Sequence, residues 1–199
     1  MFAHIAGLFA GLLVNANVAT MVDTHEMEAA GLDQTLFQEA IAARNEHAGD
    51  IKNDRFITII DYRKPSSEKR LYLIDTEKGT VEAMLVAHGQ GSDANHDGMA
   101  DTFSNVPQSK MTSLGAFLTA ETYTGKHGLS LRLDGLSESN TNARARAIVI
   151  HGADYVNPTR KTQGRSWGCP AVERGLAKNL IEAIKGGSFI YAAGNTSHA

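Results

Sequence analysis

The stretch Gly164-Arg165-Ser166-Trp167-Gly168-Cys169-Pro170 contains the only cysteine of this 199-residue chain. It follows the apolar run Ala147-Ile148-Val149-Ile150-His151-Gly152, which ends in a histidine and a glycine. A thiol attacks a carbonyl carbon as the thiolate, so a nucleophilic cysteine needs an imidazole nearby to take its proton. We therefore interpret Cys169 as a candidate nucleophile and His151 as its base. A lone cysteine is also a common small buried hydrophobe, and this structural alternative stays open at this point.

Short runs rich in β-branched and aromatic residues surround this pair. They predict strands of one mainly antiparallel sheet system. The predicted strands are 56–62, 70–75, 80–88, 114–123, 129–133, 145–151 and 188–192. Apolar residues at helical spacing over 176–184, followed by Gly186-Gly187, predict a helix after the cysteine. The expected fold class is therefore mainly β, a β-rich α+β fold.

The motif around the candidate pair resembles the L,D-transpeptidases of bacterial peptidoglycan, whose catalytic domain is called YkuD-type. In that family a His-Gly is followed, after a spacer, by Ser/Thr-His-Gly-Cys, an apolar residue and Asn or Arg. In this chain Ser166 follows His151 after the fourteen residues 152–165. Trp167 stands where the family usually has histidine, and Ala171 stands where it usually has Asn or Arg.

These departures resemble a divergent branch of murein L,D-transpeptidases that has Gly-Arg-Ser-x-Gly-Cys and, after the His-Gly, Ala153-Asp154-Tyr155-Val156. Other stretches similar to that branch are 86–89, 103–105, 113–117 and 123–133. The resemblance covers roughly residues 55–192. It implies a β-sandwich or barrel with a helix after the catalytic cysteine.

The resemblance also implies a two-step acyl transfer. Cys169 would attack the carbonyl of the diamino acid at position three of a tetrapeptide stem and expel the terminal D-Ala, with His151 carrying the proton. The thioester would then pass to an amine of a second stem. The N–H groups of Gly168 and Cys169 would hold the oxyanion, and the carbonyl of Gly152 would orient the imidazole. Ser166 would either hydrogen-bond within the active-site loop or form a local turn.

Five further residues are candidates for substrate binding. Arg165 either binds a substrate carboxylate or is solvated, and Trp167 either covers the thiol, stacks on substrate or packs. Arg132 and His127 either line the cleft or make structural hydrogen bonds. Tyr155 completes this set.

The segment Asp93-Ala94-Asn95-His96-Asp97-Gly98-Met99-Ala100-Asp101 matches the first part of a calcium loop. The oxygen ligands would be Asp93, Asn95, Asp97 and Asp101. Ser104 stands where the last ligand, a glutamate, is expected, so a polar loop with Asp and Asn turns is the favoured alternative. The sequence has no His-Glu-x-x-His motif of a zinc peptidase, and the predicted chemistry needs no cofactor.

The N-terminal residues predict export. The apolar stretch 5–14 is too short to span a bilayer, and small residues follow it at Ala16 and Ala19, as in a signal peptide over 1–19. The preceding residues contain no Lys or Arg, so a short N-terminal helix is the alternative. We expect a helical lead-in over 20–54, a catalytic domain over 55–193 and a flexible tail over 194–199. The expected location is secreted, in the periplasm or the cell envelope.

The net charge of −3, with acidic and basic residues mixed, argues against nucleic acid as a partner. The expected partners are peptidoglycan stem peptides, with penem-type inhibitors as plausible acylating agents and no stable membrane span. Two alternatives to the transpeptidase remain. One is an L,D-carboxypeptidase in which water resolves the thioester, and the other is a noncatalytic peptidoglycan-binding envelope module.

Overall fold

The computed structural model describes residues 22–195, which contain three α-helices and nine β-strands. The helices are α1 (Thr24–Ala30), α2 (Gln34–Glu46) and α3 (Arg174–Ile184). The strands are β1 (Phe56–Asp61), β2 (Leu71–Asp75), β3 (Thr80–Met84), β4 (Val86–Ala87), β5 (Gly115–Gly125), β6 (Gly128–Gly135), β7 (Val149–Ala153), β8 (Ala171–Glu173) and β9 (Phe189–Ala193). The predicted signal peptide and residues 196–199 of the predicted tail lie outside the described residues. Within 22–195, no helix is both long and apolar enough to cross a membrane.

All nine strands belong to one sheet, in the order β3-β2-β1-β9-β5-β6-β7-β8-β4. Six of the eight pairings are antiparallel, and the two parallel ones are β1 with β9 and β7 with β8. The two edge strands, β3 and β4, are separated in the chain by Leu85 alone. The sheet must therefore curl until its edges meet, which confirms the expected mainly β, nearly closed architecture.

Helix α3 packs against the inner face of the curled sheet. The side chains of Ala177, Leu180, Ile181 and Ile184 are buried on one stripe of this helix. They join a core cluster with inward residues of most strands, including Leu131 in β6. Burial of this apolar stripe fixes the helix, which begins directly after β8, against the sheet, while its opposite face is exposed.

Helix α1 packs against β3, and α2 packs against β9, β1 and β5 on the outer face of the sheet. Asp23 and Asp33 cap the two helices, accepting hydrogen bonds from the backbone N–H groups of His25 and Leu36. Buried α2 residues such as Phe37 pack in a second apolar cluster with outward residues of the sheet. The predicted helical lead-in thus shares a core with the sheet.

The structure departs from the predicted elements at short or irregular segments. The strand predicted over 145–151 begins only at Val149, because the chain turns through 141–147 and Ala147 has a positive φ of 55°. The strand predicted over 80–88 is divided at Leu85, where the sheet closes. Neither α1 nor the three-residue β8 was predicted, since both are too short to show a clear period.

Candidate active site

Cys169 and His151 line one cleft of about 430 Å³. A larger cavity of about 800 Å³ lies elsewhere, against β9 and the start of β5, and has neither residue in its wall. We assign the candidate site to the smaller cleft because only it combines a nucleophile with a base. Its lining residues are Tyr123, Lys126, His127, Arg146, Ala147, Val149, His151, Tyr155, Arg165, Ser166, Trp167 and Cys169.

The sheet holds His151 between two partner strands. In β7 it pairs with Ser130 of β6 and with Ala171 of β8, and its side chain is buried. Its Nδ1 lies 3.0 Å from the carbonyl oxygen of Gly152, which only accepts hydrogen bonds. Nδ1 therefore carries the proton and is the hydrogen-bond donor to this carbonyl. This leaves Nε2 as the basic nitrogen. The sequence analysis expected Gly152 in this orienting role.

The environment of His151 favours the neutral imidazole. Burial lowers the pKa of His151, although the hydrogen bond to Gly152 opposes this, and the nearby charges of Lys126 and Arg174 lower it further. The ring of His127 stacks on that of His151 with centroids 4.2 Å apart. Near neutral pH His151 is thus in the form that accepts a proton.

Ser166 fixes the loop that carries the thiol. Its Oγ accepts a hydrogen bond from the N–H of Gly168 at 3.0 Å and donates one to the carbonyl of Cys169 at 2.7 Å. Its own backbone N–H donates to the carbonyl of His88, and its carbonyl accepts from Gln90. Ser166 therefore hydrogen-bonds within the loop of the thiol, and its bond from Gly168, two residues on, is also a local turn, so both of its predicted roles agree with the structure.

The thiol is partly exposed and uncharged at rest. Burial raises the pKa of Cys169, and this effect outweighs a hydrogen bond from the backbone of Val149 and the positive charges of Arg146 and Lys126. The Sγ lies 3.8 Å from the carbonyl oxygen of Ala147, which stabilises the protonated thiol. No hydrogen bond joins Cys169 to His151 among the described residues. The resting pair is therefore a neutral thiol and a neutral imidazole.

This resting state predicts a pH dependence of thiol reactivity. We expect the rate of Cys169 alkylation by iodoacetamide to rise with pH through a midpoint above that of an ordinary cysteine, because burial disfavours the thiolate. Intact-protein mass measured over time at several pH values gives the rate for this single cysteine. A plateau of fast alkylation below neutral pH would instead indicate a resting thiolate–imidazolium pair.

Five residues that line the cleft are outside the predicted set: Tyr123, Lys126, Arg146, Ala147 and Val149. Two of them, Arg146 and Ala147, make contacts that shape the site. Arg146 reaches across to the carbonyls of Ser104 and Met111, and thus ties the segment before β5 to the cleft. Ala147 has an uncommon left-handed backbone, which directs its carbonyl at the thiol. No motif marks either residue in the sequence, since both act through contacts with distant segments.

A buried polar network of Arg70, His88 and Asp93 lies next to the loop that carries Cys169. Nδ1 of His88 accepts from Arg70 at 2.7 Å and Nε2 donates to the carboxylate of Asp93 at 3.0 Å, and all three residues are buried. This tautomer follows because a guanidinium only donates and a carboxylate only accepts. Burial and the charge of Arg70 lower the pKa of His88 to about 4, so it is neutral. The network fixes the position of His88, whose backbone carbonyl accepts a hydrogen bond from the N–H of Ser166.

Asp93 of this network also belongs to the predicted calcium loop. The carboxylate of Asp93 accepts hydrogen bonds from the backbone of Asp97 and Gly98, and Asn95 donates to the carboxylate of Asp97. Across 22–195, no three His, Cys, Asp or Glu side chains converge in a group that could hold a metal ion. These hydrogen bonds are the Asx turns of the favoured alternative, and the calcium loop over Asp93, Asn95, Asp97 and Asp101 stays a prediction.

Four of the five predicted substrate-binding residues line the cleft: His127, Tyr155, Arg165 and Trp167. Trp167 is 69% exposed, which excludes the packing role. Arg132 is absent from the cleft wall, and its contacts are those of the structural alternative. Its guanidinium pairs with Glu121 at 3.1 Å and lies over the ring of Tyr123, 4.5 Å from the centroid.

Comparison with known proteins gives one family. The family model of the L,D-transpeptidase catalytic domain matches residues 28–193. No curated protein matches the chain.

Solved structures similar to this chain have low sequence identity. An L,D-transpeptidase from Mycobacterium tuberculosis H37Rv is 12% identical with a TM-score of 0.46, over 70% of this chain and 57% of that one. L,D-transpeptidase 3 from Mycobacterium tuberculosis, in complex with a faropenem-derived adduct, is 11% identical with a TM-score of 0.46, over 69% and 60%. An L,D-transpeptidase from Mycobacterium smegmatis is 11% identical with a TM-score of 0.44, over 70% and 58%. The matched region thus spans less than two thirds of each of these proteins.

The fold and the cleft define a mainly β domain of an enzyme family, with one candidate nucleophile in a cleft of the nearly closed sheet. The chain belongs to the family of L,D-transpeptidase catalytic domains.

Proposed function

We propose that the protein is a peptidoglycan L,D-transpeptidase that uses Cys169 as its nucleophile. The observation that carries this proposal is the pairing of a partly exposed thiol with a fixed, neutral imidazole in one cleft. The hydrogen bond from Nδ1 of His151 to Gly152 leaves Nε2 free to accept the thiol proton. A neutral base beside a neutral thiol is the arrangement needed for proton transfer during attack.

The first step forms a thioester. The Sγ of Cys169 bonds to the carbonyl carbon of residue three of the donor stem, while the thiol proton passes to His151. The bond from that carbon to the nitrogen of residue four then breaks, and His151 returns the proton to the leaving amine of D-Ala. The backbone N–H of Cys169 and that of Gly168, which Ser166 orients, are the proposed donors to the oxyanion.

The second step consumes the thioester. An amine of a second stem attacks the thioester carbonyl, its proton passes through His151 to the sulfur, and a cross-linked dimer leaves. Water in place of the amine would give a tripeptide, the carboxypeptidase outcome. The acceptor amine stays open, since Ala171, where the family usually has Asn or Arg, is buried and has no polar side-chain atom.

Intact-protein mass spectrometry with a purified tetrapeptide muropeptide tests this proposal. We expect an adduct on Cys169 with the mass of the donor less one D-Ala, together with cross-linked dimer in solution. An adduct with tripeptide alone would indicate the carboxypeptidase. Binding of the muropeptide without adduct or product would favour the noncatalytic envelope module.

Two proposals accompany this function. Penem-type β-lactams acylate the same thiol, since their strained carbonyl meets the same nucleophile and base. The substrate lies outside the cytoplasmic membrane, so the protein acts in the periplasm or the cell envelope, as the predicted signal peptide requires.

A further inference from the structure

We propose that Lys110 and Lys126 bind the terminal carboxylate of the donor peptide, on the residue that the reaction expels. This inference rests on the proposed function, and it assigns the residues that bind one group of the donor peptide. Both ammonium groups lie over the indole of Trp167, at 5.1 Å and 5.6 Å from the ring centroid. We call these three residues the lysine–tryptophan cluster.

The charge of the cleft favours an anionic ligand. Its wall contains the cations Lys126, Arg146 and Arg165, and among the described residues no Asp or Glu lines it. The whole chain has a net charge of −3, so this concentration of positive charge departs from the composition. A cleft lined by one sign of charge attracts the opposite charge.

Apart from the indole of Trp167, the two lysines have no side-chain partner among the described residues, unlike the arginines of this region. Arg146 donates to backbone carbonyls and serine hydroxyls around Met111, and Arg165 donates to the carbonyl of Asp93. In contrast, neither Lys110 nor Lys126 forms an ion pair or a side-chain hydrogen bond within 22–195. Their charges are therefore available to a ligand.

The contacts with the indole leave both ammonium groups able to bind an anion. The attraction of each ammonium to the indole is modest at an exposed site. A carboxylate within reach of either ammonium would form a charge-assisted contact. The exposed face of Trp167 would also contact the small apolar side chain of the expelled residue.

The position of the cluster fits the terminal carboxylate. That carboxylate belongs to the residue next to the scissile carbonyl, and neighbouring Cα atoms are about 3.8 Å apart. A cation that recognises it must therefore lie near the thiol. Trp167 is two residues from Cys169, and Lys126 lies close enough for its charge to favour the Cys169 thiolate.

The position where the family usually has Asn or Arg holds no polar side chain in this protein. Ala171 lies in β8 with its methyl group in an apolar cluster. It offers no partner for a carboxylate at the position where the family usually has Asn or Arg. The lysine–tryptophan cluster supplies a positive site from other parts of the chain, the loop before β5 and the turn between β5 and β6.

A pair of donors separates this role from a general effect on stability. One is the tetrapeptide with its free terminal carboxylate, and the other is the same peptide as the terminal amide. Both would be tested on the wild type, on Lys110→Met, on Lys126→Met and on the double variant. Lys178→Met is the matched control, because Lys178 is exposed on α3 and lies outside the cleft.

The measured quantity is the second-order rate constant of Cys169 acylation, followed by intact-protein mass. For the free-acid donor we expect a loss of about threefold in each single variant and about tenfold in the double variant, through a higher KM. The loss with the amide donor should be smaller than the loss with the free-acid donor in every variant, because an effect of Lys126 on the thiol is common to both donors. Thermal unfolding checks that each variant is folded.

Two results would overturn the inference. An equal loss with both donors would mean that the lysines act on the thiol or the loop, and no loss with the acid would mean that they do not bind it. In both cases Cys169 of the wild type is still acylated, so the proposed function survives. If neither donor acylates the wild type, the proposed function and this inference fail together.

Discussion

Replacing Cys169 with alanine is expected to abolish acyl-enzyme formation and turnover while the protein stays folded. The chain has no other cysteine, so no second thiol can take over the reaction. The side chain is only partly buried, and the polar contacts of its sulfur are with the backbone of Val149 and, at 3.8 Å, with the carbonyl of Ala147. Losing it should lower the stability by no more than about 1 kcal/mol, typical of a substitution that removes little packing.

The measurement combines product analysis with thermal unfolding. Residual turnover should be indistinguishable from that without enzyme, because nucleophilic catalysis is lost completely. A Cys169→Ala variant that releases D-Ala at the wild-type rate would refute the assignment of the nucleophile. A variant that loses activity and also unfolds would be compared with Cys169→Ser, which keeps the volume and polarity of the side chain.

The candidate pair could be predicted from the sequence because its signals are local. Cys169 is the only cysteine and lies in a glycine-rich turn, and His151 ends an apolar run. The structure places both in one cleft and gives Gly152 and Ser166 the supporting contacts that the sequence suggested. The strands were predictable for the same reason, since their apolar periodicity is visible within five to ten residues.

The remaining parts of the site depend on contacts between distant segments. Arg146 lies in a turn with no motif, and only the fold brings it to the carbonyl of Met111, 35 residues away. The network of Arg70, His88 and Asp93 is equally hidden, because the closure of the sheet brings Arg70 to the strand before His88. For Arg132 the sequence leaves two roles open, because only the fold shows that its guanidinium pairs with Glu121.

Taken together, these contacts show how the fold prepares the thiol. The β-sheet fixes the base, His151. The nucleophile lies on a loop fixed by the Ser166 hydroxyl, which accepts a hydrogen bond from the N–H of Gly168 and donates to the carbonyl of Cys169. A loop held this way keeps its N–H groups aimed without a rearrangement during the reaction. Such preorganisation makes the backbone around Gly168 the most sensitive part of the site.

Replacing Gly168 with alanine is therefore expected to lower the acylation rate by about 10² to 10³, the cost of misplacing an oxyanion donor. Its φ of 114° is one that L-residues rarely adopt. An added Cβ would also lie 2.6 Å from the carbonyl oxygen of Met111 and 3.2 Å from a guanidinium nitrogen of Arg146. The backbone oxygen cannot move away freely, so the loop must shift and displace Cys169.

Gly186→Ala is the matched control for this substitution. Gly186 has a φ of 82° and open space around its Cβ position, and it lies after α3, outside the cleft. Both variants should lose stability through backbone strain, of about 1 to 3 kcal/mol, but only Gly168→Ala should lose the acylation of Cys169 by a tetrapeptide. Equal activities at equal stability would show that the clash with Met111 is absorbed without moving the thiol, and that the loop tolerates more displacement than its hydrogen bonds imply.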